Sequence, residues 1–200
     1  TGDVLALVSY PGYDLNKMAN GVDAEYYAKI NRDLSVPQWN AATQQLTAPG
    51  STFKVVSSVA AVEEGAVSGL GETIRCSGVF DKLAPTIHRC WVYPSAHGNM
   101  NVSSAIANSC NCYFYEVGYR LSQDSSGYNS DYGLSRLKKY ADLFGLTEKS
   151  GIEITESEPK FSDLYAVPSM IGQGTHNYTT VGLARYVTTI ANSGTCYNLS

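Results

Sequence analysis

The spacing of apolar and polar residues changes several times along the chain. A short apolar run over residues 4–9 ends at a Pro11-Gly12 turn signal and predicts a β-strand. Residues 16–46 are polar and rich in Asn, Gln and Tyr, so they predict a surface segment with short helices. After the Pro49-Gly50 turn signal, the apolar residues recur with the period of a helix.

The first helix is predicted over residues 51–64, with Gly65 ending it. Its spacing predicts a buried face made of Val55, Val56, Val59, Ala60 and Val62. Residues 71–101 contain turn residues without a sustained period and predict an irregular segment. Helical spacing returns at residues 102–121 and 132–146, and a final helix is predicted over residues 178–194. One strand followed mostly by helices predicts an α/β or α+β protein whose sheet is incomplete in these residues.

Composition narrows the classes of function. The chain has 200 residues, and 44% of them are hydrophobic, which is enough for a sizeable core. A formal net charge of −4 offers no basic stripe and argues against a nucleic-acid partner. No apolar run approaches the ~20 residues of a membrane span, so we expect any targeting segment or anchor to lie outside these residues.

Ser51 and Lys54 form the first candidate for chemistry. As a structural residue, Ser51 would cap the helix that follows the Pro-Gly turn. Residues at i and i+3 share a helix face, so the hydroxyl and the amine also lie side by side at the positive end of the helix dipole. A lysine in that place could take the proton of the serine.

Three stretches carry a family resemblance: "APGSTFK" at residues 48–54, "NSCNCYFY" at residues 108–115, and "MIGQGTHNYTTVGLARYVTTIANSGT" at residues 170–195. With the opening "GDVLALVSYPGYDLN", they resemble the transpeptidase domain of class B penicillin-binding proteins, whose superfamily uses a serine-x-x-lysine, a serine-x-asparagine and a lysine-threonine-glycine motif. The resemblance implies a β-lactamase/transpeptidase-like α+β fold. In that fold helices flank an antiparallel sheet, and an all-helical subdomain would occupy roughly residues 66–170.

The resemblance also assigns catalytic roles. Ser51 would attack the carbonyl of a D-alanyl-D-alanine stem peptide and form an acyl-enzyme, and Lys54 would act as the base. Ser109 would relay a proton to the leaving amine, and Asn111 would hydrogen-bond the substrate backbone. Read as structure alone, Ser109 would be a helix cap and Asn111 a buried amide.

One motif of the family is missing from these residues. No lysine-threonine-glycine triad occurs, and the family order would place it after residue 200. That strand supplies an oxyanion-hole donor, whose loss costs about 10²–10³ in rate. We therefore expect residues 1–200 to form a partial domain that lacks the C-terminal sheet strands and is a poor enzyme alone.

The resemblance implies a function, partners and a location. The implied function is a peptidoglycan D,D-transpeptidase of cell-wall synthesis and cell shape that β-lactams acylate, which connects it to antibiotic resistance. Its partners would be stem peptides, β-lactams and a glycosyltransferase of the elongation or division machinery. It would work on the extracytoplasmic face of the cell membrane. Two alternatives remain: a serine β-lactamase or β-lactam sensor, and a non-catalytic scaffold of the same machinery.

The five cysteines suggest a metal site. If Ser109 and Asn111 face the substrate, Cys110 between them points back toward the irregular segment that contains Cys76, Cys90 and His97. Three thiolates and one imidazole would make a closed structural zinc site, with His88 as a reserve ligand. The alternative is a Cys76–Cys90 disulfide with Cys110 as a small buried residue. Cys112 is predicted to belong to the core, and His176 to lie on the surface.

Overall fold

The computed structural model describes all residues from 1 to 200 as an α+β fold in which helices outweigh short strands. The helices are α1 (Ala24–Arg32), α2 (Ala41–Gln44), α3 (Lys54–Glu63), α4 (Val102–Ala107), α5 (Asn111–Leu121), α6 (Ser130–Leu143), α7 (Ala166–Ser169) and α8 (Thr180–Ala191). The strands are β1 (Leu46–Thr47), β2 (Ile74–Cys76), β3 (Val79–Leu83), β4 (Thr86–Arg89), β5 (Gly98–Met100), β6 (Gln123–Asp124), β7 (Gly127–Tyr128) and β8 (Tyr178–Thr179). None of the helices combines the length and the apolar character that crossing a membrane requires.

Helix α5 is the centre of the core. Eight of its residues are buried, because apolar side chains occur on every side of it. It packs against α3, α6 and α7. A Cβ added at Gly118 would lie 3.1 Å from the Cα of Val167, so the glycine allows α7 to approach α5 closely. The first turn of α5, which carries Asn111, is therefore fixed by the packing of the whole helix.

The strands pair in four small antiparallel sheets, β1 with β8, β2 with β5, β3 with β4, and β6 with β7. The β2–β5 register places Cys76 opposite Gly98, so His97 lies next to Cys76. The β3–β4 hairpin ends just before Cys90. These hairpins bring together cysteines that lie far apart in the sequence.

The strand predicted over residues 4–9 is wrong. These residues belong to no sheet, and Leu5 is 95% exposed. Their one hydrogen bond between backbone groups runs from the N–H of Val4 to the carbonyl of Ser200, at 2.9 Å. Apolar β-prone residues favour an extended chain, but a strand also needs a neighbour with which to form a ladder.

The first helix is confirmed, with corrections at its start and on its buried face. Residues Gly50–Phe53 form a 3₁₀ turn that leads into α3, and no side chain caps either element, so the predicted capping role of Ser51 is wrong. Three of the valines predicted to be buried are only half-buried. Lys54, Ser57 and Ser58 are buried instead. The hydroxyls of Ser57 and Ser58 donate to the main-chain carbonyls of Met170 and Lys54, at 2.8 and 2.7 Å.

Two further predictions need revision, and two are confirmed. Residues 71–101 contain strands β2 to β5, which are too short to show a two-residue period. The helix predicted over residues 102–121 is divided into α4 and α5 at Ser109, whose φ is +50°. The helices predicted near residues 132–146 and 178–194 are observed as α6 and α8.

The prediction that His176 lies on the surface is wrong. The residue is 3% exposed, and its ring lies 4.4 Å from that of Phe53 and 4.9 Å from that of Phe161, between ring centroids. Its Nδ1 accepts the N–H of Ser162 at 3.1 Å and lies 2.8 Å from the hydroxyl of Tyr178. Burial lowers the pKa of His176 to about 4.

This pKa predicts a loss of stability in mild acid. Between the folded pKa of about 4 and the ordinary value of 6.5, the unfolded chain binds the proton and the folded chain does not. The stabilisation is therefore complete above pH 6.5 and is lost as the pH falls toward 4. We expect His176 to account for about 2 kcal/mol of lost unfolding free energy between pH 7 and pH 5. Denaturant unfolding of wild type and His176→Phe measures it, and an equal loss in both proteins would contradict the assignment.

Candidate active site and adjacent cysteine cluster

The turn that carries Ser51 is held by a glycine loop between α7 and β8. The N–H of Gly50 donates to the carbonyl of Gly172 at 3.1 Å. Gly172 has a φ of +70°, and a Cβ there would lie 2.1 Å from the carbonyl oxygen of Gly50. On the other side, the hydroxyl of Tyr186 donates to the carbonyl of Thr52 at 2.9 Å. The "IGQG" sequence thus serves as a close support for the serine turn.

Lys54 lies at the centre of a hydrogen-bond network around Ser51. It is 1% exposed, whereas Ser51 is exposed. The Nζ of Lys54 lies 3.1 Å from the Oγ of Ser51, 2.9 Å from the Oγ of Ser109 and 2.7 Å from the Oδ1 of Asn111. It also donates to the main-chain carbonyl of Ser109 at 2.8 Å. The structure therefore brings together all four residues that the sequence predicted as catalytic.

The hydroxyl groups of Ser51 and Ser109 are also hydrogen-bonded to each other. The Oγ of Ser109 donates to the Oγ of Ser51 at 2.9 Å. Burial lowers the pKa of Lys54 to about 8, although Cys110 and Cys90 act in the opposite direction. A fraction of the amine is therefore neutral near pH 7, and a neutral amine can accept a proton. This arrangement can activate a serine hydroxyl for nucleophilic attack.

The backbone at Ser109 orients the serine-x-asparagine motif, residues 109–111, which we call the second motif. Its φ of +50° is uncommon for a residue other than glycine. Cys110 then takes an extended conformation as the residue preceding α5. As a result Ser109 and Asn111 both reach Lys54, while the side chain of Cys110 is completely buried.

Cys110 belongs to a cluster of thiols and one imidazole. The ligand atoms of Cys76, Cys90, His97 and Cys110 lie within 4.8 Å of one another. The Nδ1 of His97 lies 3.7 Å from the Sγ of Cys76 and 3.6 Å from the Sγ of Cys90. A tetrahedral zinc ion with bonds of about 2.3 Å to sulfur and about 2.05 Å to nitrogen would place sulfur and nitrogen about 3.6 Å apart. The two distances from His97 to Cys76 and Cys90 match this spacing.

Main-chain donors support the thiolate form of Cys90. Burial by itself would raise the pKa of this thiol, but backbone N–H groups of Cys112, Val92 and Asn111 donate to it and hold its pKa below the usual value. The Asn111 donor ties the cluster directly to the second motif. Burial raises the pKa of Cys110 to about 12. Neutral thiols in this place would therefore need a cation to release their protons.

The remaining cysteines and the reserve ligand lie outside the cluster. All five cysteines carry free thiols, so the Cys76–Cys90 disulfide alternative is not observed. Cys112 is buried, as predicted, and is not one of the four grouped ligands. The proposal of His88 as a reserve ligand is wrong, because its ring packs 5.0 Å from that of Tyr115 and 6.3 Å from that of Phe80.

The comparisons with known proteins give the family of the chain. The family model described as "Penicillin binding protein transpeptidase domain" matches residues 1–200. The chain belongs to this family. Its relatives include the peptidoglycan D,D-transpeptidase MrdA of Escherichia coli K12, which is 27% identical over 97% of this chain and 31% of the relative. The MrdA of Haemophilus influenzae is 30% identical over 96% of this chain and 30% of the relative.

The solved structures confirm the transpeptidase-like α+β fold. Pseudomonas aeruginosa PBP2 in complex with WCK 5153 is similar with a TM-score of 0.86 and 26% identity, over 100% of this chain and 46% of that chain. Penicillin-binding protein A from M. tuberculosis, solved as an imipenem acyl-enzyme complex, is similar with a TM-score of 0.84 and 25% identity, over 100% of this chain and 45% of that chain. This penicillin-binding protein chain thus spans less than half of the proteins that it matches.

Proposed function

We propose that the protein is a serine D,D-transpeptidase that cross-links the stem peptides of peptidoglycan. The observation that carries the proposal is the position of the Ser51 hydroxyl, which lies within hydrogen-bond distance of both Lys54 Nζ and Ser109 Oγ. The relatives named peptidoglycan D,D-transpeptidase MrdA support it. So do the neighbouring acyl-enzyme structures.

The proposed reaction has two steps. In the first, Ser51 Oγ bonds to the penultimate D-alanine carbonyl carbon and gives its proton to Lys54. The C–N bond to the last D-alanine then breaks, and Ser109 passes a proton to the departing amine and receives the one that Lys54 holds. In the second step, an amino group of another stem attacks the acyl carbon and gives its proton to Lys54, and Lys54 returns a proton to the departing Ser51 oxygen. Asn111 would hydrogen-bond the peptide backbone of the donor stem.

A β-lactam would undergo only the first step. Its ring amide is attacked in the same way, but the amine stays attached to the acyl group after the C–N bond breaks. The adduct therefore blocks the acceptor stem. In-gel labelling of the longer protein, which includes the lysine-threonine-glycine strand, with a fluorescent penicillin tests the proposed function, and the expected result is a covalent band that unlabelled penicillin prevents. Absence of the band at saturating penicillin would contradict the proposal.

For the whole protein, we propose a partial domain over residues 1–200, with the lysine-threonine-glycine strand further along. The subdomain expected at roughly residues 66–170 is not all-helical, because strands β2 to β7 lie within it beside helices α4 to α7. The location would be the extracytoplasmic face of the cell membrane. A glycosyltransferase is the proposed partner. A neighbour titled "Structural coordination of polymerization and crosslinking by a peptidoglycan synthase complex" supports this partner, with 32% identity and a TM-score of 0.85 over 100% of this chain and 34% of that chain.

We further propose that the cysteine cluster holds a structural zinc ion. Cys76, Cys90, His97 and Cys110 would be the four ligands, which leaves no open position for substrate. The ion would stabilise the segment between β2 and β5, which packs few core residues of its own. It would also fix Cys110, and hence the neighbouring residues of the second motif, without taking part in the reaction.

Metal analysis of purified protein tests this site. We expect about one zinc ion per chain, and a lower melting temperature after treatment with a strong chelator, because only the folded chain groups the ligands. Cys110→Ser should lose the metal and slow acylation. Cys112→Ser is the matched control and should keep the metal. A metal-free protein whose mass is two protons below that of the reduced chain would establish a disulfide instead.

A further inference from the structure

A cavity of about 530 Å³ lies on the side of α5 that the β3–β4 hairpin covers. Its size falls within the range of small-molecule sites. We call it the tyrosine cavity, because two tyrosines stand at its rim, Tyr128 at 37% and Tyr165 at 65% exposure. The residues that line it are Leu83, Thr86, His88, Tyr128, Ser130, Tyr165 and Pro168.

The lining of the tyrosine cavity contains no charged side chain. Burial lowers the pKa of His88, so its imidazole is neutral at neutral pH. No side-chain hydrogen bond within the chain involves the hydroxyls of Thr86, Tyr128 and Tyr165 or the ring nitrogens of His88, and these side chains are exposed or half-buried. The cavity therefore offers free donors and acceptors beside aromatic faces, which suits a neutral ligand that is polar at its edges and apolar on its faces.

The backbone at Tyr165 holds this residue at the rim. Its φ of +59° is in the left-handed region, where a bulky side chain is a genuine outlier. The following residue is fixed, because the N–H of Ala166 donates to the Oγ of Ser130 at 2.8 Å. Ala166 and Val167 are then completely buried. Tyr165 thus has an unfavourable backbone conformation, and its ring is exposed at the cavity. Unfavourable backbone conformations of this kind are typical of ligand sites.

Helix α5 links the tyrosine cavity to the candidate active site. Asn111, which contacts Lys54, and Tyr115 are four residues apart and share one helix face, about 6 Å apart along the axis. The ring of Tyr115 lies 5.0 Å from that of His88 in the cavity wall. A stem peptide of four or five extended residues spans about 15 Å. That span exceeds the distance of about 6 Å between Asn111 and Tyr115 along the helix axis.

We propose that the tyrosine cavity binds a neutral N-acetylated sugar of the glycan strand whose stem peptide occupies the active site. The proposal rests on the proposed transpeptidase function and adds a carbohydrate subsite to it. The apolar face of the sugar ring would stack on Tyr165 or Tyr128, and its hydroxyl and amide groups would bond to Thr86, Ser130 and His88. The cavity would thereby select stems that are attached to polymerised glycan over free peptides.

Binding of tetra-N-acetylchitotetraose, a neutral peptide-free probe, tests the subsite. Titration followed by NMR or calorimetry should show saturable binding, and Tyr165→Ala and Tyr128→Ala should each weaken it by about tenfold, since they remove a stacking face. Tyr165→Phe keeps the stacking ring and should bind like wild type. Tyr27→Ala, at an exposed tyrosine on α1, is the matched control and should leave affinity unchanged. No saturable binding at millimolar probe would overturn the proposal, as would wild-type affinity in both Tyr165→Ala and Tyr128→Ala.

The test separates the subsite from the transpeptidase function. Ser51→Ala should bind the oligosaccharide as wild type does, and the Tyr165→Ala variant should still be labelled by penicillin. Sugar binding without penicillin labelling would refute the proposed chemistry and leave the cavity as a carbohydrate site. Penicillin labelling without sugar binding would refute the subsite alone.

Discussion

In the complete domain, Ser51→Ala abolishes acylation by penicillin while the melting temperature stays close to that of wild type. The expectation follows from the exposure of Ser51, whose hydroxyl is the one atom that the substitution removes. That oxygen accepts hydrogen bonds from Lys54 and Ser109, and both donors keep other partners in the variant or face solvent. No other hydroxyl on an exposed side chain lies beside Lys54 with the same freedom to attack. Intact-mass spectrometry after incubation with penicillin measures the adduct.

The control for this prediction is Ser103→Ala, which removes an exposed hydroxyl from the neighbouring helix α4. This variant should acquire the full adduct at the rate of wild type. An adduct on the Ser51→Ala protein would refute Ser51 as the nucleophile. Loss of the adduct in both variants would show that the loss reflects disturbed structure and not chemistry.

Lys54→Met lowers the acylation rate by about 10²–10⁴-fold, the usual contribution of a positioned proton acceptor. The methionine side chain is similar in length and apolar, so it fits the buried stem of the lysine. The melting temperature of the variant should change little. Ser109 and Asn111 lose their hydrogen bonds to the amine, but the cost of burying a charged amine is also removed, and the two effects offset each other. Stopped-flow acylation and thermal unfolding of the same preparation measure the two effects.

The pH profile distinguishes a base from a merely structural lysine. Because the pKa of Lys54 is lowered to about 8, the neutral amine grows as the pH rises from 6 to 8. The acylation rate of wild type should increase over this interval and level off above it. In Lys54→Met this rise should disappear. The control Lys138→Met removes an exposed lysine of α6 and should keep both the acylation rate and its pH profile. An unchanged acylation rate in Lys54→Met would mean that another group is the base.

The position of the candidate site was largely predictable from the sequence. A serine and a lysine three residues apart after a Pro-Gly turn place two reactive groups on one face of a helix start, whatever the rest of the fold does. The grouping of Ser109 and Asn111 with them needed the family resemblance, because nothing local reveals a contact between residues so far apart in the chain. The cysteine cluster followed from one stereochemical argument about Cys110, and the structure does place its four predicted members together.

The errors occurred where tertiary contacts override local pattern. The run over residues 4–9 has the composition of a strand, but no neighbouring strand forms a ladder with it. His176 follows a glycine-rich turn, and its burial depends on Phe53 and Phe161 from two other segments. His88 lies close to the cysteines in sequence, yet the β3–β4 hairpin directs it to the tyrosine cavity. The αL backbone of Tyr165 likewise has no local sequence signal.

Mass-spectrometric mapping of the penicilloyl group tests the central claim most directly. After reaction of the complete domain with penicillin and digestion with trypsin, the peptide of residues 33–54 should carry the added mass, and fragmentation should assign it to Ser51 and not to Ser35. An adduct on any other residue of the folded protein would contradict the assignment of Ser51 as the nucleophile that Lys54 activates. Complete absence of an adduct would contradict the proposed acyl-enzyme chemistry itself.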